Sequence, residues 1–127
     1  MKLHLTQSEG KNLITAYDYG YVAINGQRYK ESLIVLPDLL IEHWSSSPNI
    51  TLNFDTLISD DFAKIASIKP EVILLGTGKL HRFLHPKISA ILVNEGISIE
   101  CMTTAAACRT YNILMGEGRH VAAAILI

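Results

Sequence analysis

Short hydrophobic runs broken by glycine, asparagine and proline predict a β-rich first half of the chain. The candidate strands cover residues 12–18, 21–24 and 27–35. Asn25 and Gly26 separate the last two runs, and this dipeptide is typical of a type I′ hairpin turn because both of its residues need a positive φ. Pro37 then ends the third strand, since proline has no amide hydrogen to donate. We therefore expect a β-hairpin region near the N-terminus.

The middle of the chain carries weaker patterns. Residues 39–44 form an apolar run that fits either a short helix or another strand, and residues 45–48 follow as a loop. Ser59, with two acidic residues after it, is typical of a helix N-cap and a first turn that suits the helix dipole. Three apolar residues then share one helix face: Phe62, Ile65 and Ala66. This pattern predicts a short helix at Ser59.

The second half alternates strands and helices. A continuous apolar run over residues 72–75 predicts a strand that is covered on both faces. Pro86 suits the first turn of a helix and Gly96 suits its left-handed end, so a helix is predicted between them. Two further strands are predicted over residues 97–102 and 121–127.

The last predicted helix starts at a threonine cap, either Thr103 or Thr104, and runs to about Gly116. Five of its residues cover an arc of about 120°, which is the stripe width of a helix that faces a core. They are Ala107, Cys108, Tyr111, Leu114 and Met115. Arg109 lies opposite this arc and therefore faces solvent, a pocket or a partner.

Strand, helix and strand follow one another between Val72 and Met102, over about the 30 residues that a βαβ unit needs. Such crossovers are right-handed and their strands are parallel, so both strands end on the same edge of the sheet. Open α/β sheets bind ligands at this edge, and a helix N-terminus offers amides to an anion. The predicted ligand-binding or anion-binding residues are Gly76, Thr77, Gly78, Lys79, Thr103, Thr104 and Arg109.

A second interpretation of Gly76-Thr77-Gly78 is structural. Glycines after a strand also let the backbone turn, or let a helix approach closely. An anion site needs more donors than one helix cap supplies. Both interpretations stay open at this point.

The length of 127 residues and the 49% share of apolar residues suit one domain with its own core. No repeat, linker or low-complexity segment divides the chain. We expect one layered α/β domain over residues 1–127. Its mixed β-sheet would have an N-terminal β-hairpin region, a C-terminal βαβαβ region and helices packed on it.

Charge and hydropathy narrow the function classes. The net charge is −1 and the charged residues are scattered, which excludes the basic stripe of a nucleic-acid binder. The mean hydropathy of +0.25 indicates an apolar surface patch for a partner or for a homo-oligomer. No signal-peptide pattern opens the sequence, and no apolar run reaches the roughly 20 residues that span a membrane. Two cysteines without a CxxC motif fit a reduced, cytoplasmic setting.

The catalytic and cofactor motifs fail when each is tested. Gly76 to Lys79 resembles the end of a phosphate-binding P-loop, but Leu80 replaces the magnesium-binding hydroxyl. A dinucleotide fingerprint fails because His81 occupies its third glycine position. His81 and His85 stand four residues apart without a third ligand, and Cys108 has no identifiable base. We predict no catalytic residue, no metal site and no cofactor.

Tyrosines cluster around the predicted hairpin. Tyr17, Tyr19 and Tyr21 point to one face if the strand is continuous, although Gly20 could interrupt it with a bulge. An aromatic face of this kind suits contact with another protein. Packing against the protein's own helix explains it equally well.

Several segments, in this order, resemble the small α/β family labelled domain of unknown function 498, with the MTH-938-like fold. They are Gly20-Tyr21, Ile24-Asn25-Gly26, Pro70-Glu71, Leu75-Gly76-Thr77-Gly78, residues 104–112 (TAAACRTYN) and residues 119–124 (RHVAAA). The resemblance covers nearly the whole chain.

The resemblance implies a layered fold around a mixed sheet and a surface pocket near Gly76-Thr77-Gly78. It implies no agreed catalytic activity. The family includes a mitochondrial assembly factor of respiratory complex I and an adipogenesis-associated protein, so a non-enzymatic binding or assembly role is expected, with membrane respiratory complex subunits as partners by analogy. The alternative is a protein, even an enzyme, that binds a small molecule or anion at the same turn.

Overall fold

The first three strands form a small antiparallel sheet. The structure, a computed structural model, describes residues 10–47 and 49–127. The strands are β1 (Ile14–Asp18), β2 (Tyr21–Ile24) and β3 (Gln27–Tyr29), side by side in that order. Asn25 and Gly26 join β2 to β3 with φ values of 50° and 86°. The predicted hairpin turn is therefore confirmed, because both residues have the positive φ that its type requires.

The remaining five strands form a mixed sheet. They are β4 (Leu33–Leu36), β5 (Leu39–Glu42), β6 (Val72–Gly76), β7 (Ser98–Met102) and β8 (Val121–Ile125), in the spatial order β5-β4-β8-β6-β7. Strand β4 is antiparallel to β5 and β8, whereas β6 is parallel to β7 and β8. The ambiguous run after Pro37 is a strand, and the final strand ends two residues earlier than predicted.

The prediction of one strand over residues 27–35 is wrong. The chain leaves the first sheet after Tyr29 and enters the second at Leu33. Residues 27 and 28 are exposed, whereas all four residues of β4 are buried. A strand covered on both faces belongs in the interior of a sheet, so β4 pairs with β8 and does not extend the hairpin.

In the part of the chain that the structure describes, three α-helices cover the sheets. They are α1 (Ala63–Ile68), α2 (Pro86–Asn94) and α3 (Thr104–Gly116). Pro86 begins α2, Gly96 follows it with a φ of 74°, and Thr103 caps α3, as predicted. At 13 residues, α3 is the longest helix among the described residues. Across residues 10–47 and 49–127, no helix has the length and apolar character needed to cross a membrane.

The predicted N-cap at Ser59 is wrong. Ser59–Phe62 is a turn of 3₁₀ helix that precedes α1, and Ile58 occupies the cap position. The buried carboxylate of Asp61 reaches back and accepts hydrogen bonds from the backbone amides of Ile58 and Ser46, both at 2.8 Å. The cap is therefore an acid inside the turn, because the apolar side chain of Ile58 cannot accept a hydrogen bond.

The five-stranded sheet has a core on each face, because successive side chains of a strand point to opposite sides. Leu74 and Ala123 pack with α3 and with the three-stranded sheet on one face. Ile73 and Ala122 pack on the other face with α1, α2 and Trp44. The predicted stripe of α3 is confirmed: four of its members are buried and Leu114 is partly buried against the same core. Because β6 and β7 are parallel, their carboxyl ends lie at the same edge of this sheet.

Candidate functional site

The turns that follow β6 and β7 touch each other, as the βαβ order predicts. Val72 lies opposite Ser98 and Gly76 opposite Met102, so both strands end at the same level. The amide of Gly78 donates to Thr104 Oγ1 at 2.9 Å, and the amide of Thr104 donates to the carbonyl of Gly78 at 2.9 Å. The predicted common edge is therefore present, and its two turns bind one another directly.

Gly76 is a close-approach position. A Cβ atom placed there would lie 3.0 Å from Thr104 Oγ1, 3.1 Å from Thr104 Cα and 3.3 Å from Ala107 Cβ. The first turn of α3 can lie against the end of β6 only because this side chain is absent. For Gly76, the structural interpretation of the turn is the one that the packing supports.

The threonine hydroxyls at this edge bind the main chain. Thr77 Oγ1 lies 2.5 Å from the carbonyl oxygen of Leu80 and 3.1 Å from that of Met102, and it is buried. Thr104 Oγ1 donates to the carbonyl of Leu126 at 3.0 Å. Thr103 Oγ1 accepts from the amide of Ala106 at 3.3 Å, which caps α3. These contacts tie β6, β7, β8 and α3 together at one point.

An open pocket lies beside this edge, and we call it the rim pocket. Its volume is about 720 Å³. Its lining is Tyr17, Asp18, Tyr19, Gly20, Tyr21, Gly78, Lys79, Thr103, Thr104, Ala105, Leu126 and Ile127. Lys79 Nζ lies 3.9 Å above the centre of the Tyr19 ring, and 69% of Tyr19 is exposed. The rim pocket therefore combines aromatic and aliphatic walls with the charged side chains of Lys79 and Asp18.

The structure gathers some of the predicted site residues and separates others. Gly78, Lys79, Thr103 and Thr104 line the rim pocket. The other three predicted residues are not in the lining that the described residues form. They are Gly76, Thr77 and Arg109. Gly76 and Thr77 lie beneath it in the packed edge.

Arg109 joins α3 to β1. Its guanidinium donates a hydrogen bond to the hydroxyl of Tyr17 at 2.9 Å. One turn further along α3, the amide side chain of Asn112 accepts from the backbone amide of Ile14 and donates to its carbonyl, at 3.0 and 2.8 Å. Through these two side chains, α3 holds β1 in position, and with it the tyrosine wall of the rim pocket, which is Tyr17, Tyr19 and Tyr21. Asn112 was not predicted, because its partner lies 98 residues away.

The tyrosine cluster is divided by a turn. Strand β1 ends at Asp18, and β2 begins at Tyr21. Gly20, with a φ of 78°, lies in the turn between them, so the three tyrosines do not share one continuous strand. Tyr17 is buried and Tyr19 is exposed. Their alternation was visible in the sequence, but their position next to Lys79 was not.

Buried thiol and phenol groups lie under α3. Cys108 is fully buried, and the loss of solvation raises the pKa of its thiol to about 12 although Arg109 opposes the shift. Burial also raises the pKa of the Tyr111 hydroxyl, with a smaller contribution from Asp38, and this hydroxyl donates to the carbonyl of Asn12 at 2.8 Å. Both groups are held neutral near pH 7, which favours packing over nucleophilic or acid–base chemistry.

The two loop histidines have separate roles. His81 packs against Phe83 with ring centres 4.5 Å apart. His85 Nδ1 accepts from the amide of Lys87 at 3.0 Å and thereby caps α2. Within the described ranges, no group of three potential His, Cys, Asp or Glu ligands converges on a point. Neither histidine is arranged as a member of a metal centre.

Comparison with known proteins gives likenesses over most of the chain. Assembly factor 3 of the NADH dehydrogenase (ubiquinone) 1 alpha subcomplex from Xenopus tropicalis is 27% identical over 125 residues, which are 98% of this chain and 66% of that protein. The chain thus spans just under two thirds of the length of this relative. The 13 kDa major membrane protein of Francisella tularensis is 27% identical over 110 residues, 87% of this chain and 86% of that protein.

Solved structures show the same fold. A crystal structure of a Bordetella parapertussis protein superposes with a TM-score of 0.82 at 33% identity, and covers 94% of this chain and 98% of that one. A solution structure of a Bordetella pertussis protein, described as an Mth938-like domain, has a TM-score of 0.76 at 30% identity and covers 99% and 92%. A family model matches residues 14–126. The chain belongs to the family described as protein of unknown function DUF498/DUF598, as its resemblance predicts.

Proposed function

We propose that this chain acts, as a single domain, as a non-enzymatic binding factor of the assembly type. The observation that carries the proposal is the likeness, over 98% of the chain, to a protein named as an assembly factor. By analogy its partner is a subunit of a membrane respiratory complex, met on the cytoplasmic side. About a third of that relative's length lies outside the match with this chain, so the role of the whole relative also rests on residues that have no counterpart in the match.

The chemistry of the site supports binding over catalysis. The hydroxyls of Thr77, Thr103 and Thr104 are engaged with the main chain. The thiol of Cys108 is buried and neutral. What faces outward in the rim pocket is mainly tyrosine and aliphatic surface, the kind of surface that protein interfaces favour. We place the partner contact there.

A pair of variants on one helix tests this placement. Ala105 is the second residue of α3 and lines the rim pocket, so Ala105→Glu puts a charge in the pocket at a position that the helix dipole tolerates. Ile113→Glu puts the same charge on a residue of α3 that is 62% exposed. In affinity capture from native cells, we expect the wild type and Ile113→Glu to retain the same respiratory-complex subunit, and Ala105→Glu to lose at least about tenfold of it.

Two outcomes of the capture experiment contradict the proposal. One is recovery of the bare protein under conditions that preserve weak complexes. The other is equal recovery of the subunit with Ala105→Glu and Ile113→Glu. Thermal melts of both variants separate loss of binding from loss of fold. Sedimentation of the wild type then shows whether the apolar surface is used for a homo-oligomer instead.

A small molecule or anion in the rim pocket is the second candidate. Lys79 favours it, since its ammonium group lies in the lining with the Thr103-Thr104 start of α3. Asp18 disfavours an anion, because its carboxylate is in the same lining. Thermal shift against phosphate, nucleotides and carboxylates tests this candidate. A ligand at a hundredfold excess over its Kd adds about 2.7 kcal/mol to the free energy of unfolding. No shift across the panel, or an equal shift for Lys79→Ala, contradicts it.

A further inference from the structure

Two large apolar side chains project from the loop between β6 and α2. Phe83 is 78% exposed and Leu80 is 72% exposed, the two highest values for large hydrophobic residues in the described ranges. A single exposed leucine is ordinary, but two such residues within four positions are not. We call residues 79–87, which are this part of the loop and the first two residues of α2, the basic loop.

Along the sequence, the charged residues around these side chains have one sign. From Glu71 to Glu95 the sequence has no other acidic residue, while it contains Lys79, Arg82 and Lys87. In the folded protein, acids from other segments also lie near the basic loop: Arg82 donates to Asp55 Oδ1 at 2.7 Å, and Asp18 lines the rim pocket together with Lys79. Lys87 is exposed and Lys79 lies over Tyr19. The basic loop therefore keeps a positive charge at both ends of its apolar centre.

The basic loop is fixed to the body of the protein. Leu84 packs against the core that contains α2. The guanidinium of Arg82 lies 4.1 Å above the centre of the Phe54 ring in addition to its bond with Asp55. The carbonyl of Leu80 contacts the hydroxyl of Thr77, and Phe83 packs on His81. Leu80 and Phe83 are thus held outward by their neighbours, so little ordering is needed when they are buried.

We propose that the basic loop is a docking surface for an anionic lipid bilayer. Leu80 and Phe83 enter the interface between headgroups and acyl chains, and the ammonium groups of Lys79 and Lys87 bind lipid phosphates. Apolar tips flanked by lysines fit an interface that closes around them, since lysine stems extend to keep the charge among the headgroups. An acidic protein surface would match the charge, but it would need preformed holes for two separate projecting side chains.

Vesicle binding of the full chain tests this surface. The vesicles are pure phosphatidylcholine, or phosphatidylcholine with about 30% phosphatidylglycerol, which gives an anionic surface potential. We expect binding to the anionic vesicles at least about tenfold tighter than to the neutral ones, with loss at high salt. Binding should weaken at least about tenfold for Leu80→Ser with Phe83→Ser, because both apolar contacts are removed. Lys87→Ala should weaken it roughly fivefold, since it removes one cation outside the rim pocket.

Matched controls lie elsewhere on the surface. Ile113→Ser removes another exposed apolar side chain (62% exposed) from α3, and Lys64→Ala removes an exposed lysine from α1. Both should bind anionic vesicles like the wild type. The proposal is overturned by equal binding to both vesicle types or to neither, by salt-sensitive binding that Leu80→Ser with Phe83→Ser leaves unchanged, or by equal losses in the controls. Since the rim pocket is intact in Lys87→Ala, failure with lipid leaves the partner proposal standing on its own test.

Discussion

The edge of the five-stranded sheet has an inner part and an outer part that are consecutive in the sequence. In the inner part, residues 76–78, the amides of Thr77 and Gly78 and the carbonyls of Gly76 and Gly78 bond to β7, to α3 and to the end of β8. The outer part is the basic loop, residues 79–87, and its large side chains Leu80 and Phe83 are mostly exposed to solvent. The glycine-rich turn is therefore packed against the rest of the fold, whereas the residues directly after it carry exposed side chains that can contact a partner.

The difference follows from how the polar groups are used. A buried amide or carbonyl without a partner destabilises the fold, so a turn that is pressed against a helix must pair its groups within the protein. Gly76 allows this contact and Thr104 completes it. Beyond Gly78 the chain leaves the packed edge, and the exposed side chains there, unlike Leu84, can differ in kind without cost to the core.

The largest expected effect tests whether the Thr104 hydroxyl holds the inner part together by bonding both Gly78 and Leu126. Thr104→Val keeps the shape of the side chain but leaves the Gly78 amide and the Leu126 carbonyl without their partner. We expect the free energy of unfolding to fall by about 2 to 4 kcal/mol, measured by urea denaturation. The neighbouring Thr103→Val removes only the cap bond to Ala106 and should lower it by about 1 kcal/mol. Equal losses in the two variants would show that the Thr104 hydroxyl does not hold the inner part together.

A smaller effect tests the close approach at Gly76. Gly76→Ala places a methyl group 3.0 Å from Thr104 Oγ1 and 3.1 Å from its Cα, so a packed backbone must shift. We expect a loss of about 1 to 3 kcal/mol in the free energy of unfolding. Gly116→Ala adds the same methyl group at the end of α3, with no atom within 4 Å, and should raise stability by up to about 1 kcal/mol. A neutral Gly76→Ala would mean that α3 has room to move.

The sequence predicted the inner edge better than the first half of the fold. The βαβ unit is local: a hydrophobic run, Pro86, Gly96 and a threonine cap follow each other, and one rule of handedness then places both turns. The strand over residues 27–35 failed because pairing is not local. The pattern of Leu33–Leu36 does not predict that its neighbour is β8, some 90 residues later. It does contain four consecutive buried positions, which are unusual for the edge strand of a hairpin.

The candidate site was predicted in place but not in detail. Gly78, Lys79, Thr103 and Thr104 do lie together at the rim pocket. The hydroxyls of Thr77 and Thr104 bind the carbonyls of Leu80, Met102 and Leu126, and every residue has a carbonyl, so no sequence pattern marks these partners. The same holds for the tyrosine wall, which reaches Lys79 only through the tertiary fold.

The smallest expected effect is on the two projecting side chains of the outer part, Leu80 and Phe83, whose substitution should leave stability unchanged. Leu80→Ser and Phe83→Ser remove side chains that are 72% and 78% exposed, so little apolar burial is lost on folding. We expect each variant to unfold within about 0.5 kcal/mol of the wild type in urea, with the same dependence on denaturant. Leu84→Ser, on the same loop but packed against the core, should lose well over that amount. If Leu80→Ser or Phe83→Ser destabilised the protein as much as Leu84→Ser, these side chains would belong to the core, and the distinction between a closed inner part and an available outer part would fail.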